Sequence, residues 1–209
     1  GQTYVSVGVN AMNLSLNIPS EMDKSKMSHF NVSTTNLNGQ PIDANVDITI
    51  TKLKAPDRVF RTQLWDVPDQ KLIEIGQYQK NFPHDVYDEE NQPQNFLKEK
   101  GMLSISVNTA ETDSVNYGNM NHWSPGYYYV SATSTDEFGE EVLYEDYITV
   151  YDSRDDEVHN NEVMWVKQLT GTVEPGEYAE FLVSSKDEVK VNYKAVSYTH
   201  LTLPTIPQV

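Results

Sequence analysis

The segment Thr35–Leu53, TNLNGQPIDANVDITITKL, sets the tightest limit on what this chain can become. A polar turn of Asn, Gly and Pro runs into a stretch where Ile42, Ala44, Val46, Ile48 and Ile50 alternate with Asp43, Asn45, Asp47, Thr49 and Thr51. A period of two puts the first set on one face and the second on the other, so the segment is a strand with one buried and one wet side. Asn38-Gly39 is a hairpin signal, and Pro41 can open the strand because its first position tolerates a missing N–H. The same grammar recurs along the chain and predicts an all-β fold.

Tyr4–Val9 and Met12–Ile18 read as short strands, the second with Met12, Leu14, Leu16 and Ile18 in one phase and Pro19 as its end. Ser20–Ser28 reads as a charged loop or a single helical turn, Phe30–Ser33 as the start of a strand, and Arg58–Pro68 as another strand. The period then changes. In Asp69–Phe82 the residues Leu72, Ile75, Tyr78 and Phe82 recur at helical spacing, with Asp69 placed as N-cap, so a short helix is expected. It opens an acidic excursion over about 69–100. Strands resume at Met102–Val107, Gly126–Ser134 and Val142–Tyr151, and Asp136–Gly139 closes a hairpin between the last two. Alternation in Gly126–Ser134 sends Tyr128, Val130 and Ala132 into the core and Tyr127 and Tyr129 outward.

Ser153–Asn161, SRDDEVHNN, is charged and poor in apolar residues, and reads as a linker between a sandwich over 1–152 and a second unit over 162–195. That unit holds strands at Val163–Leu169, Tyr178–Val183 and Val189–Tyr193 with a turn at Glu174–Glu177, too little core to stand alone, so it is expected to be the first part of a larger domain. The chain opens at GQTYVSVG without an initiator Met and reads as a cut from something longer. Residues 196–209, VSYTHLTLPTIPQV, carry no Asp, Glu, Lys or Arg and follow a strand without a turn. They resemble translated sequencing-adaptor DNA and are expected not to belong to the natural protein.

Thirty-one Asp and Glu face 15 Lys and Arg, a net charge of −16 that repels phosphate backbones and anionic membranes, so no nucleic-acid partner is expected. Without cysteine there is no disulfide, thiolate nucleophile or cysteine zinc site. The histidines, His29, His84, His122, His159 and His200, form no HExxH pair, and no GxSxG elbow, P-loop or dinucleotide turn occurs. No catalytic residue, cofactor or metal is therefore assigned, and the chain is read as non-enzymatic. The nearest approach to a cation site is Asp85, Asp88, Glu89 and Glu90, or Asp152, Asp155, Asp156 and Glu157. Neither cluster has calcium-loop spacing, and both read as solvated loop charge. Trp123 and Tyr127–Tyr129 beside His122 would make a sugar-stacking platform if exposed, but sheet packing accounts for them. Asn13-Leu14-Ser15 and Asn31-Val32-Ser33 fit the glycosylation sequon, a common chance match in an Asn-rich chain.

Taken together, STTNLNGQPIDANVDITITKLKAPDRVFRTQLWDVPD, YGNMNHWSPGYYYVSATSTDEFGEEVLYEDYITVYD and VEPGEYAEFLVSS resemble macroglobulin-like domains of bacterial alpha-2-macroglobulin proteins, over roughly residues 5–195. The most specific pieces are Leu53–Arg58, Leu64–Asp69 with its excursion, and Asp136–Glu141. The resemblance implies an antiparallel immunoglobulin-like sandwich of about seven strands with a short helical insertion, followed by a truncated second sandwich. It implies a scaffold role in a large extracellular or periplasmic, envelope-associated protease-trapping inhibitor. The partners would be neighbouring domains of the same chain, and target proteases through the whole protein. The runner-up is a cell-surface adhesin or carbohydrate-binding sandwich.

Overall fold

The computed structural model describes residues 11–62, 70–154, 161–174, 176–186, 188 and 190. The expected strand at Tyr4–Val9, residues 63–69, most of the linker, the strand at Val189–Tyr193 and the tail at 196–209 lie wholly or largely outside them. The described chain is an all-β sandwich with a short helix. A three-stranded sheet, in the order β1 (Met12–Asn17), β3 (His29–Asn36), β6 (Ser114–Asn116), faces a five-stranded one. The larger sheet runs β2 (Glu21–Asp23), β8 (Glu141–Tyr151), β7 (Gly126–Thr135), β4 (Asn45–Lys54), β5 (Leu97–Asn108). A separate hairpin pairs β9 (Trp165–Gln168) with β10 (Phe181–Ser184). The division of strands between the sheets follows the immunoglobulin-like pattern.

The alternation holds over the first six residues of β4, where Val46, Ile48 and Ile50 are buried while Asn45, Asp47 and Thr49 face solvent; Ile42 and Ala44 lie before the strand and are half-buried. Leu16, Phe30, Val32 and Val115 from the small sheet close over Ile48, Val130, Ala132, Ile148 and Val150 from the large one. The β7–β8 hairpin is also as expected. Asp136 Oδ1 accepts from the amides of Phe138 and Glu140, both at 2.9 Å, and Gly139 takes a φ of 87° that a side chain would resist.

Several expectations need correction. Asn38-Gly39 closes a hairpin as expected, with Asn36 N–H bonded to the Gln40 carbonyl and Ile42 N–H to the Thr34 carbonyl, but it is only a few residues long, because the chain then crosses and β3 and β4 belong to opposite sheets. Ser20–Ser28 contains a strand: Pro19 stops β1, the chain changes sheet, and β2 pairs in parallel with the end of β8, burying Met22. Arg58–Pro68 shows only a bridge from Phe60 to Glu162 among its described residues. The helix α1 spans Ile75–Asn81 with Glu74, not Asp69, as N-cap, and buries nothing. Its apolar stripe serves a local aromatic cluster, Tyr78 against Phe82 and Tyr87 at about 5 Å, and leaves Leu72 91% exposed.

The floor of the sandwich is aromatic. Trp123 is fully buried and stacks on Tyr128 at 5.2 Å, with Tyr117 edge-on to it. Gly126, at φ 130°, turns the chain into β7, and the Tyr128 hydroxyl reaches back to donate to the Ser124 carbonyl at 2.6 Å, a tyrosine corner. The Lys52 ammonium caps the same turn, donating to the carbonyls of Ser124 and Pro125 while lying over the Tyr128 ring. On the opposite face Tyr129 is buried rather than half-exposed, because Leu53 and Phe96 at the end of the excursion cover it.

Trp123→Ala should destabilise the sandwich by about 3–5 kcal/mol through the cavity it leaves, and Tyr128→Phe by about 1 kcal/mol through the lost hydrogen bond. Urea unfolding measures both, and a Tyr128→Phe protein as stable as the parent would remove the corner from this account. Burial pushes the Lys52 pKa down from 10.5 to about 8, and burial pushes the hydroxyls of Tyr127, Tyr128 and Tyr144 up from 10.0 to about 12. The folded state sheds the lysine proton before the unfolded chain does, but keeps its tyrosine protons longer. Stability against urea should therefore rise between pH 8 and 10 and fall between pH 10 and 12, and a steady fall across the first interval would contradict the environment assigned to Lys52.

Candidate functional site

Polar and aromatic contacts gather where the residues after 160 meet the edge and outer face of the five-stranded sheet. Phe60 N–H donates to the Asn161 carbonyl at 2.6 Å and Val163 N–H returns to the Phe60 carbonyl at 3.0 Å, a one-rung parallel ladder. The Asn161 side chain is buried and its Oδ1 accepts from the Tyr127 hydroxyl at 2.8 Å. Farther along, the Trp165 ring packs on Tyr151 at 5.3 Å, its Nε1 donates to one oxygen of Glu21, and the Lys167 ammonium pairs with the other. The hydrogen bond it donates to Glu21 holds the Lys167 pKa above its ordinary value. Lys186 donates to the Asp57 carbonyl at 3.0 Å.

These contacts follow from sequence position. β2 ends the sheet, so Glu21 stands beside the outgoing strand, and the alternation of β9 turns Trp165 and Lys167 to that side while Val166 faces away. Both ends of the expected linker are thus held. Ser153 N–H donates to Asp23, and Asp152 pairs with Arg154 and Lys24, at 3.0 and 3.6 Å. The hydrogen bond from Arg154 draws the Asp152 pKa down to about 2. Neither Trp165 nor Glu21 stands out in the sequence.

A second cluster ties the excursion down. The Arg58 guanidinium donates to the carbonyls of Pro83 and Asp85 and to Glu90 Oε1 at 3.0 Å. Arg61 pairs with Asp85, Lys71 with Asp88, and His84 Nδ1 meets the Val59 carbonyl at 3.1 Å. Burial acts to raise the Glu90 pKa, but the amides of Tyr87 and Asp88 together with Arg58 hold it below its ordinary value. The acidic run of the excursion therefore meets cations of its own chain, and Glu89 contributes its carbonyl to Asn95. Among the described residues no group of three His, Asp or Glu is placed to hold a metal ion. Asp155, Asp156, Glu157, His159 and His200 lie outside them. Trp123, buried in the core, presents no stacking face, and Tyr127 is half-covered by Phe96 and Asn161.

A cavity of about 330 Å³ lies beside this seam, between Leu53, Pro56, Glu99, Pro125, Tyr127 and Asn161. Lys52 reaches it already bonded to two carbonyls, and no serine or threonine there is paired with a base. The arrangement is suited to holding chain against chain. No family model matches the chain, and neither a curated protein nor a solved structure matches it. Fold and seam together define an all-β sandwich carrying a docked hairpin.

Removing the ring that seats the hairpin should loosen it alone. In Trp165→Ala, amide exchange in Trp165–Gln168 should quicken by about tenfold or more while the amides of β4 and β7 keep their rates. Unchanged exchange in β9 would show that the ring does not hold the hairpin.

Proposed function

We propose that the chain is a non-catalytic scaffold piece of an alpha-2-macroglobulin-like protease-trapping inhibitor of bacterial type. On this reading residues 1–152 form one macroglobulin-like domain, and 162–195 begin the next. The parent works outside the cytoplasm, in the envelope, periplasm or surroundings. Its partners are its own neighbouring domains, and target proteases through the whole molecule. The observation that carries the reading is the seam: Glu21, Tyr151 and Trp165, with the Phe60–Asn161 rung, fix the direction in which the chain leaves the sandwich. A module in a multidomain shell needs such a fixed exit, because a free linker would leave neighbouring domains to reorient. The family resemblance supplies the rest. The rival, a glycan-binding module, would need an exposed aromatic face, which the buried Trp123 does not offer.

The natural reading frame that contains this chain decides the matter. It should encode further sandwich domains in series, and the intact parent should become more compact when a protease cleaves it, as followed by small-angle scattering. A frame that closes within a few hundred residues without further sandwich domains would sink the proposal.

A further inference from the structure

Among the described residues the five-stranded sheet ends on β5, a strand of twelve residues whose one strand partner there is β4. Among the described residues the other sheet edges are short or occupied. β2 and β6 have three residues each, and β1 is met by the Tyr144 hydroxyl at the Leu16 carbonyl, with the Ala11 amide just before it bonded to Asp136. The first part of β5 carries the usual protections of an edge, Lys98, Glu99 and Lys100 together with two register breaks against β4. The second part carries none. Met102–Asn108, MLSISVN, contains no charge and no proline in a chain of net charge −16. Ile105 lies opposite the fully buried Ile48, on the core side, yet is 37% exposed because the smaller sheet does not reach it.

We propose that this half-strand pairs with its counterpart in a second copy of the chain, antiparallel about Ile105, so that two five-stranded sheets join into one. The segment is complementary to itself in that register. Ile105 meets Ile105, Leu103 meets Val107 and Ser104 meets Ser106, so apolar pairs lie on the core side and hydroxyl pairs on the wet side. The ends agree as well. Lys100 of one copy arrives beside the turn that carries Glu111 and Asp113 of the other, while Lys98 lies over the Tyr129 ring of its own chain and Glu99 is turned toward the Lys52 cavity. Main-chain hydrogen bonds supply the affinity, and the uncovered rim at Ile105 supplies apolar area.

Sedimentation of the chain across a concentration series, with amide exchange on the same samples, tests the proposal. A reversible dimer is expected, with slowed exchange confined to Met102–Asn108. Ile105→Lys, and separately Ser104→Lys on the other face of the edge, should each weaken the dimer by about tenfold or more. Ser33→Lys, the same charge change on the outer face of β3, should leave it intact. Monomer at every concentration, a dimer that both edge variants retain, or protection that maps to the exposed face of β9 and β10 would each overturn it. Unfolding curves of the variants verify that the monomer fold survives.

Discussion

The stack of Trp123 on Tyr128, with the tyrosine hydroxyl fastened to the Ser124 carbonyl, is the contact on which the rest of the sandwich depends. It fixes where β7 begins. Because β7 lies between β4 and β8, that starting point sets the register of both neighbours: Tyr128 opposite Ile148 on one side and Lys52 on the other. A slip of one residue would exchange Tyr128, Val130 and Ala132 for Tyr127, Tyr129 and Ser131 and place hydroxyls in the core. The two tyrosines displaced by the correct register are then used on the far face, Tyr129 under Phe96 and Tyr127 against Asn161. One strand therefore joins the core, the excursion and the exit of the chain.

Charge is arranged around that frame. The chain has half as many basic as acidic residues, and many of its cations stand where a loop must be held to the sheet. Arg58 ends two carbonyls and a carboxylate of the excursion, Lys24 and Arg154 meet Asp152, and Lys167 meets Glu21. Isolated surface ion pairs contribute little, so the force of these contacts lies in the backbone carbonyls and buried rings beside them. The remaining carboxylates cover the surface and repel like molecules except at uncharged stretches such as the second half of β5.

Periodicity located most strands, and its failures have physical causes. The stripe Leu72, Ile75, Tyr78 and Phe82 has helical spacing, but a seven-residue helix cannot carry all four residues to the core, so the stripe folds onto Tyr87 instead. The acidic run Asp85–Glu90 looks like a cation site on paper because Arg58, Arg61 and Lys71, its partners, lie well over ten residues away in the chain. The seam was illegible for the same reason: Glu21 and Trp165 are separated by 144 positions.

By itself, the sequence determined which residues face inward on the long strands, where Pro19 and the Gly-containing turns interrupt the chain, and that the fold is all-β. Those properties are local, set by backbone sterics and by a side-chain period of two. Beyond the β7–β8 hairpin, which strand lies beside which was decided in the tertiary structure: β2 parallel to β8, β3 and β4 in opposite sheets, Tyr129 covered and, among the described residues, β5 paired with β4 alone. A strand's pattern states that one face must be buried, and any apolar surface of the right shape can satisfy it. The choice among such surfaces is made by the whole chain at once, through contacts between residues far apart in sequence.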